Sequence, residues 1–332
     1  MRAADLLTDK EERQKLMQVA TSQLATADKL SRKRNPGYIS ELQKDATASE
    51  LKKARRNSAV RQGERVYLPR RLSTSVAFPN ILLRSSLFSA SKVGDILENH
   101  SLSAHGDVDI ETDGPQLGDY DRRVFGVLLQ HYQEGETELG SIWLNTTLSK
   151  IAKQMLVHYG EQTYAAIESS LKRLNDVSLK IKIKGHALPT LRLLEVRIDR
   201  DEADLEIFKK IQFGNINIAF RINEDMAMLF GRAEWTAISA RTLHDEEGLK
   251  AWLCGFYATH RGPWPFEIQD LYKKSGSKGD LNDFRRRLKN RLVELQDENV
   301  PAEHRVARFE RQKDKITVHL SRWESDSKKT CK

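Results

Sequence analysis

The stretch GDLNDFRRRLKNRLVELQDE, residues 279–298, decides how the rest of the chain is read. Leu281, Phe284, Leu288, Leu292 and Leu295 recur at steps of three and four, which places them on one stripe of an α-helix. At about 100° per residue, Asp283, Arg286 and Asn290 point the opposite way, with Arg287 and Lys289 on the flanks. Asp280 or Asn282 can cap the start. Arg285, Arg286, Arg287, Lys289 and Arg291 crowd the same helix and supply charge for phosphates and planar donors for guanine edges. A solvated basic face is the plain alternative for such a charge run.

The segment after the helix favours the first reading. Residues 305–322 (RVARFERQKDKITVHLSR) read as two short strands, 306–309 and 316–320, about a polar turn at 312–314. A helix followed by a basic hairpin is the order of a winged helix-turn-helix, whose second helix enters the major groove. The expected DNA contacts are then Asn282, Asp283, Arg285, Arg286, Arg287, Lys289, Asn290 and Arg291 on the helix. Lys278 precedes them, and Arg311, Lys313 and Lys315 lie on the hairpin. Arg286 and Asn290 are placed to meet guanine and adenine edges, and Asp283 either accepts from a cytosine amino group or is a helix-start charge. Arg285 and Arg291, nearer the apolar stripe, suit phosphates.

The chain has 332 residues, enough for two or so domains with real cores. Lysine and arginine number 55 against 47 acids, a net charge of +8 that favours a polyanionic partner. The two cysteines, Cys254 and Cys331, make neither a disulfide framework nor a metal-ligand spacing and fit a reducing cytosol. No apolar run approaches a membrane span and the N-terminus lacks a signal-peptide core, so a cytoplasmic location without a membrane partner is expected.

Residues 1–65 are charge-rich, with clusters at Arg32-Lys33-Arg34 and Lys52-Lys53-Ala54-Arg55-Arg56, and carry a thin amphipathic stripe over 10–29. They read as a basic arm, partly helical or disordered, that adds general DNA affinity or solubility. Domain one is expected over 66–230. Residues 107–112 alternate as a strand turned by Asp113-Gly114-Pro115, and 119–133 form a buried helix. Helices over 143–156, with Thr146 and Thr147 at the cap, and 161–175 come next, then strands at 177–183, 191–198 and 216–222. Domain two, 231–325, repeats the order with helices around Leu249–Tyr257 and 266–274, the opening helix and its hairpin; 326–332 is a tail.

The third helices share their apolar steps, with Tyr164, Ile167 and Leu171 beside Leu281, Phe284 and Leu288. That register sets Glu168, Ser169, Ser170, Lys172 and Arg173 opposite Arg285, Arg286, Arg287, Lys289 and Asn290. Lys172 and Arg173 remain as auxiliary DNA contacts, and the first domain is expected to carry self-association. The fold class is α+β: tandem duplicated winged helix-turn-helix domains behind the charged arm.

In this order the residues are similar to a known family. Residues 80–88 (NILLRSSLF), 108–127 (VDIETDGPQLGDYDRRVFGV), 222–230 (INEDMAMLF) and 257–265 (YATHRGPWP) resemble TrfA-type replication initiators of iteron-containing plasmids, in the wider two-winged-helix Rep group. The resemblance covers about 66–325. It implies a bacterial, plasmid-associated initiator that binds direct repeats at an origin and helps open an A+T-rich segment. It further implies recruitment of the host initiator, replicative helicase and sliding clamp, and a balance of monomer and dimer. Arg84-Ser85-Ser86-Leu87-Phe88 is similar to the short peptides that bacterial proteins insert into the clamp, with Leu87 and Phe88 as anchors.

An enzyme is not expected, nor a metal or other cofactor. A nicking rolling-circle initiator needs paired histidines and a tyrosine, and no His-apolar-His pair occurs in the chain. Ser275-Gly276-Ser277-Lys278-Gly279 lacks the phosphate-loop pattern. The acids at 199–202 and 245–247 fit an exposed loop and a helix N-terminus better than a metal site. A winged-helix transcriptional regulator reading an operator is the alternative within the same fold.

Overall fold

The computed structural model describes residues 60–62, 65–71, 74–91, 94–198, 213–231 and 234–323. The helix expected over 10–29, the basic clusters before residue 60 and the tail at 326–332 lie outside the described residues. Elements in chain order begin with β1 (Val60–Gln62) and β2 (Arg65–Tyr67), which pair antiparallel, so the end of the expected arm already belongs to structure. Next are β3 (Ser75–Pro79), a short helix α1 (Asn80–Leu83), β4 (Phe88–Ser89), β5 (Ile96–Leu102), β6 (Val108–Pro115) and β7 (Leu117–Gly118). Helix α2 (Asp119–Gly135) comes after them.

Helix α2 is the hub of the first core. Val124, Phe125, Val127, Leu128, Leu129 and Tyr132 are all fully buried on one broad face, and Arg122, Arg123, Gln130 and Gln133 on the other side are buried as well, so the helix is enclosed all round. Asp121 fixes its start. This buried carboxylate accepts the Gly118 N–H (2.8 Å), the Ser170 hydroxyl (2.6 Å) and the Arg173 guanidinium (2.7 Å). Gly126 is required at its position because a Cβ there would run into Leu243 and, at 3.2 Å, the Phe78 ring.

Beyond α2 come β8 (Leu144–Thr147), α3 (Leu148–Gln154), α4 (Glu161–Asp176), β9 (Ser178–Ile183), β10 (His186–Ala187), β11 (Leu191–Arg192), β12 (Glu195–Ile198) and β13 (Asn217–Arg221). The chain continues through β14 (Trp235–Ser239), α5 (Ala240–Asp245), α6 (Gly248–Ala258), β15 (Pro265–Glu267), α7 (Ile268–Lys274), α8 (Leu281–Glu294), β16 (Val306–Gln312) and β17 (Lys315–Leu320). The class is α+β, as expected.

One order occurs twice. Helix, strand, helix and helix appear as α2-β8-α3-α4 and again as α6-β15-α7-α8; the two strands β16-β17 follow the second set directly, whereas β9, β10 and β11 stand between α4 and β12-β13 in the first. The sheets match too: β8-β13-β12 in the first, β15-β17-β16 in the second, antiparallel throughout. Both second helices have seven residues and join their strand without a gap. The connectors to the third helix, 155–160 and 275–280, are equal in length. Burial also keeps the register read from the apolar steps. Ile167 and Leu171 are buried like Phe284 and Leu288, and Tyr164 and Leu281 are half-buried.

Three expectations need correction. The helix expected from 143 begins at Leu148; Thr147 Oγ1 caps it by accepting the Lys150 N–H, and 144–147 pair with β13. Residues 113–115 continue β6 instead of turning, with Gly114 at φ +114 against the Asp176 carbonyl. The strand expected over 191–198 is two, β11 on β9 and β12 on β13. Leu193 and Leu194 between them are both buried, which breaks the alternation and moves the chain from one sheet to another. Strand β14 pairs along all of β3, and Ile238 and Leu243 join the first core, whereas the second core starts at Leu249. The second core thus gathers its first residue just after Gly248, while Ala258 still packs in the first.

Candidate nucleic-acid interface

Helix α8 forms because Asp280 accepts the N–H groups of Asn282 (2.8 Å) and Asp283 (3.3 Å), and because Phe284, Leu288, Leu292 and Leu295 have a core to enter. Its other face is open: Asn282, Arg286, Lys289, Asn290 and Arg291 are exposed, and Asp283, Arg285 and Arg287 are partly so. The hairpin beside it closes on Lys313 and Asp314, with Lys313 at φ +54 and Gln312 paired to Lys315. Arg311, Lys313 and Lys315 are exposed there. Helix and hairpin tip are tied together by Arg285, which bonds Asp314 (2.6 Å) and Asn282 (2.8 Å).

Most of the cations on this face are already engaged. Arg286 donates to Asp283 (2.6 Å), and Arg287 makes an ion pair with the same carboxylate (3.1 Å) while donating to the Lys278 carbonyl (3.2 Å). Arg291 bonds Glu294 (2.6 Å), and Lys315 pairs with Glu267 (3.3 Å). The Arg286 hydrogen bond, with Arg287 nearby, holds Asp283 below the usual carboxylate range. Lys278 turns back toward the first core, with its ammonium on Asp95 (2.6 Å) and its N–H on Ser91 (2.9 Å).

The corresponding helix of the first unit is different in kind. Arg173 is committed to the buried Asp121, and Glu168 and Ser170 are buried instead of facing solvent as their register implies. Lys172 is exposed and paired with Glu168 (2.9 Å), and Ser169 is exposed.

Leu87 and Phe88 are not a surface peptide. Each is 3% exposed in the first core, and Phe88 lies 6.2 Å from Phe125 between ring centroids. The segment around them holds the two cores together. Trp252 donates to the Ser85 carbonyl (3.3 Å), Arg84 to Thr259 (2.7 Å), and Ser89 to the Gly276 carbonyl (2.8 Å). A Cβ at Gly276, φ +62, would meet Ser89 Oγ at 2.8 Å. His105 fills the same seam among the rings of Phe256, His260 and Phe266. Asp314, Asp95 and the Ser89–Ser91 turn carry no signal in the sequence, because their partners are remote. The pairs of Asp283 with Arg286 and Arg287 do, at helical spacings of three and four.

No protein-family model matches the chain, and no curated protein does. Among solved structures it is similar to crystal structures of domains 2 and 3 of RctB. One, of selenomethionine derivatives, has a TM-score of 0.46 at 12% identity, covering 71% of this chain and 95% of that one. A second gives 0.45 at 13%, covering 71% and 94%. A likeness so distant carries no role across to this chain. Among the described residues no group of three or more His, Cys, Asp or Glu could hold a metal, and no helix is long and apolar enough to cross a membrane.

Proposed function

We propose that the chain is a non-enzymatic DNA-binding protein built on two tandem winged helix-turn-helix units, with α8 and the β16–β17 hairpin as its reading head. Its role on this reading is initiation of plasmid replication at direct repeats, with opening of an adjoining A+T-rich segment and recruitment of host replication proteins. The observation that supports it is the open, cation-rich face of α8, locked by Arg285 to the tip of a basic hairpin. Such a pair gives one element to the major groove and one to the flanking backbone. The first unit, whose third helix directs Arg173 and Ser170 inward, is assigned self-association and a weaker backbone contact through Lys172.

Footprinting on the DNA flanking the gene tests the role. Protection of a short repeat in tandem is expected; a single protected palindrome would make the chain an operator-binding regulator, and no protection would remove the DNA reading altogether. Affinity for sheared duplex DNA should fall with salt. Arg291→Ala should lower the log–log slope by about one unit while weakening all sequences alike, since each neutralised phosphate contributes about −0.9. A slope unchanged by that substitution would mean that Arg291 stays on Glu294 and touches no phosphate.

A further inference from the structure

On the outward side of α8, one carboxylate serves two guanidiniums. Asp283 Oδ1 accepts from Arg286 Nη2 at 2.6 Å, and Oδ2 lies 3.1 Å from Arg287 Nε. The two arginines are adjacent in sequence but differ in what else holds them. Arg286 is 73% exposed, and Asp283 is the one partner found for it among the described residues. Arg287 is 34% exposed, donates to the Lys278 carbonyl and lies over the Phe284 ring at 6.0 Å.

Ion pairs this exposed contribute little to folding. What they change is the surface that a duplex meets. An unrestrained arginine loses rotamer entropy when it is fixed on a base edge, and a guanidinium held through one nitrogen keeps its other donors for that edge. The negative charge also offsets part of the attraction of the face for phosphates, which every sequence shares, while engaging only one nitrogen of Arg286.

We propose that Asp283 reads no base itself and is a positioning residue that selects which of the two arginines does. It holds Arg286 outward for a guanine edge and draws Arg287 back against the turn. This rests on the DNA-reading role proposed for α8.

The test compares the full chain with Asp283→Asn and Asp283→Glu, using selection from a pool of duplexes with a randomised centre and salt titration on sheared duplex DNA. Asp283→Asn should reduce preference at one guanine position by about tenfold and steepen the salt slope by about one unit, because a cation is released. Asp283→Glu keeps the charge and moves it by a methylene, so the slope should stay at the wild-type value while preference recovers only in part. Loss of preference at a cytosine position instead would make Asp283 a base contact and overturn the proposal. So would a lowered melting temperature with unchanged preference, which is the signature of a helix-start charge alone. If the wild-type chain selects no sequence at all, the DNA-reading role itself falls, an outcome separate from any effect of Asp283.

Discussion

Replacing Phe88 by alanine is expected to destabilise the chain by about 3–5 kcal/mol, and Leu87→Ala by about 2–5 kcal/mol, in urea denaturation of the 332-residue chain. Both side chains are almost wholly enclosed in the first core, Phe88 against Phe125, and alanine would leave a cavity in each case. Domains have about 5–15 kcal/mol to lose, so the double variant should forfeit most of its stability. The same residues lie within a segment that bridges to the second core through Arg84, Ser85 and Ser89. The loss should therefore be felt in both cores, as one cooperative transition. A double variant that melts like the wild type but no longer captures the sliding clamp would return the segment to the surface-peptide reading.

Acidification is expected to have a comparable effect. Burial holds His244 neutral, with Arg123 and Arg122 adding to it, and its pKa falls to about 3. His260 is pushed down to about 4 by burial and then by Arg84, and His304 to about 4 by burial, with Arg322 adding to it. An unfolded histidine titrates near 6.5, so below that pH the unfolded chain binds protons that the folded chain does not. The stability these groups contribute is thus complete above about pH 6.5 and is lost as pH falls toward their folded values. At 1.36 kcal/mol per unit, each loses about 2 kcal/mol at pH 5, or roughly 6 kcal/mol for the three. Urea denaturation at about pH 7 and about pH 5 reads this directly. Equal stability at the two would show that these rings take up protons without cost in the fold.

The elements legible in the sequence are those whose signal is local. Helix α8 is given by the spacing of Phe284, Leu288 and Leu292 and by Asp280 at its start, and α4 by Ile167, Leu171 and Leu174. The repeated element order is also visible, because each step has its own period. Strand β5 is not, because six of its seven residues are not buried, leaving no alternation to detect. The pairing of β14 with β3 is hidden because the partners lie far apart in sequence, and Trp235 gives no sign of which edge it will join. Leu87-Phe88 is ambiguous for a different reason, since a Leu-Phe pair has the same composition in a core as in a docking peptide. At the candidate interface the cations are legible and their present partners only in part. The Asp283 pairs come from helical spacing, whereas Asp314 meets Arg285 only after the hairpin has folded onto the helix.

Helix α8, and not α4, is proposed to read sequence. Selection from randomised duplexes with Arg286→Ala and Ser169→Ala, the register equivalents on the two helices, tests it most directly. Arg286→Ala should cost roughly 1–3 kcal/mol on the selected site and relax preference at one base position, while Ser169→Ala changes neither. Intact preference in Arg286→Ala together with altered preference in Ser169→Ala would place the reading head on the first unit.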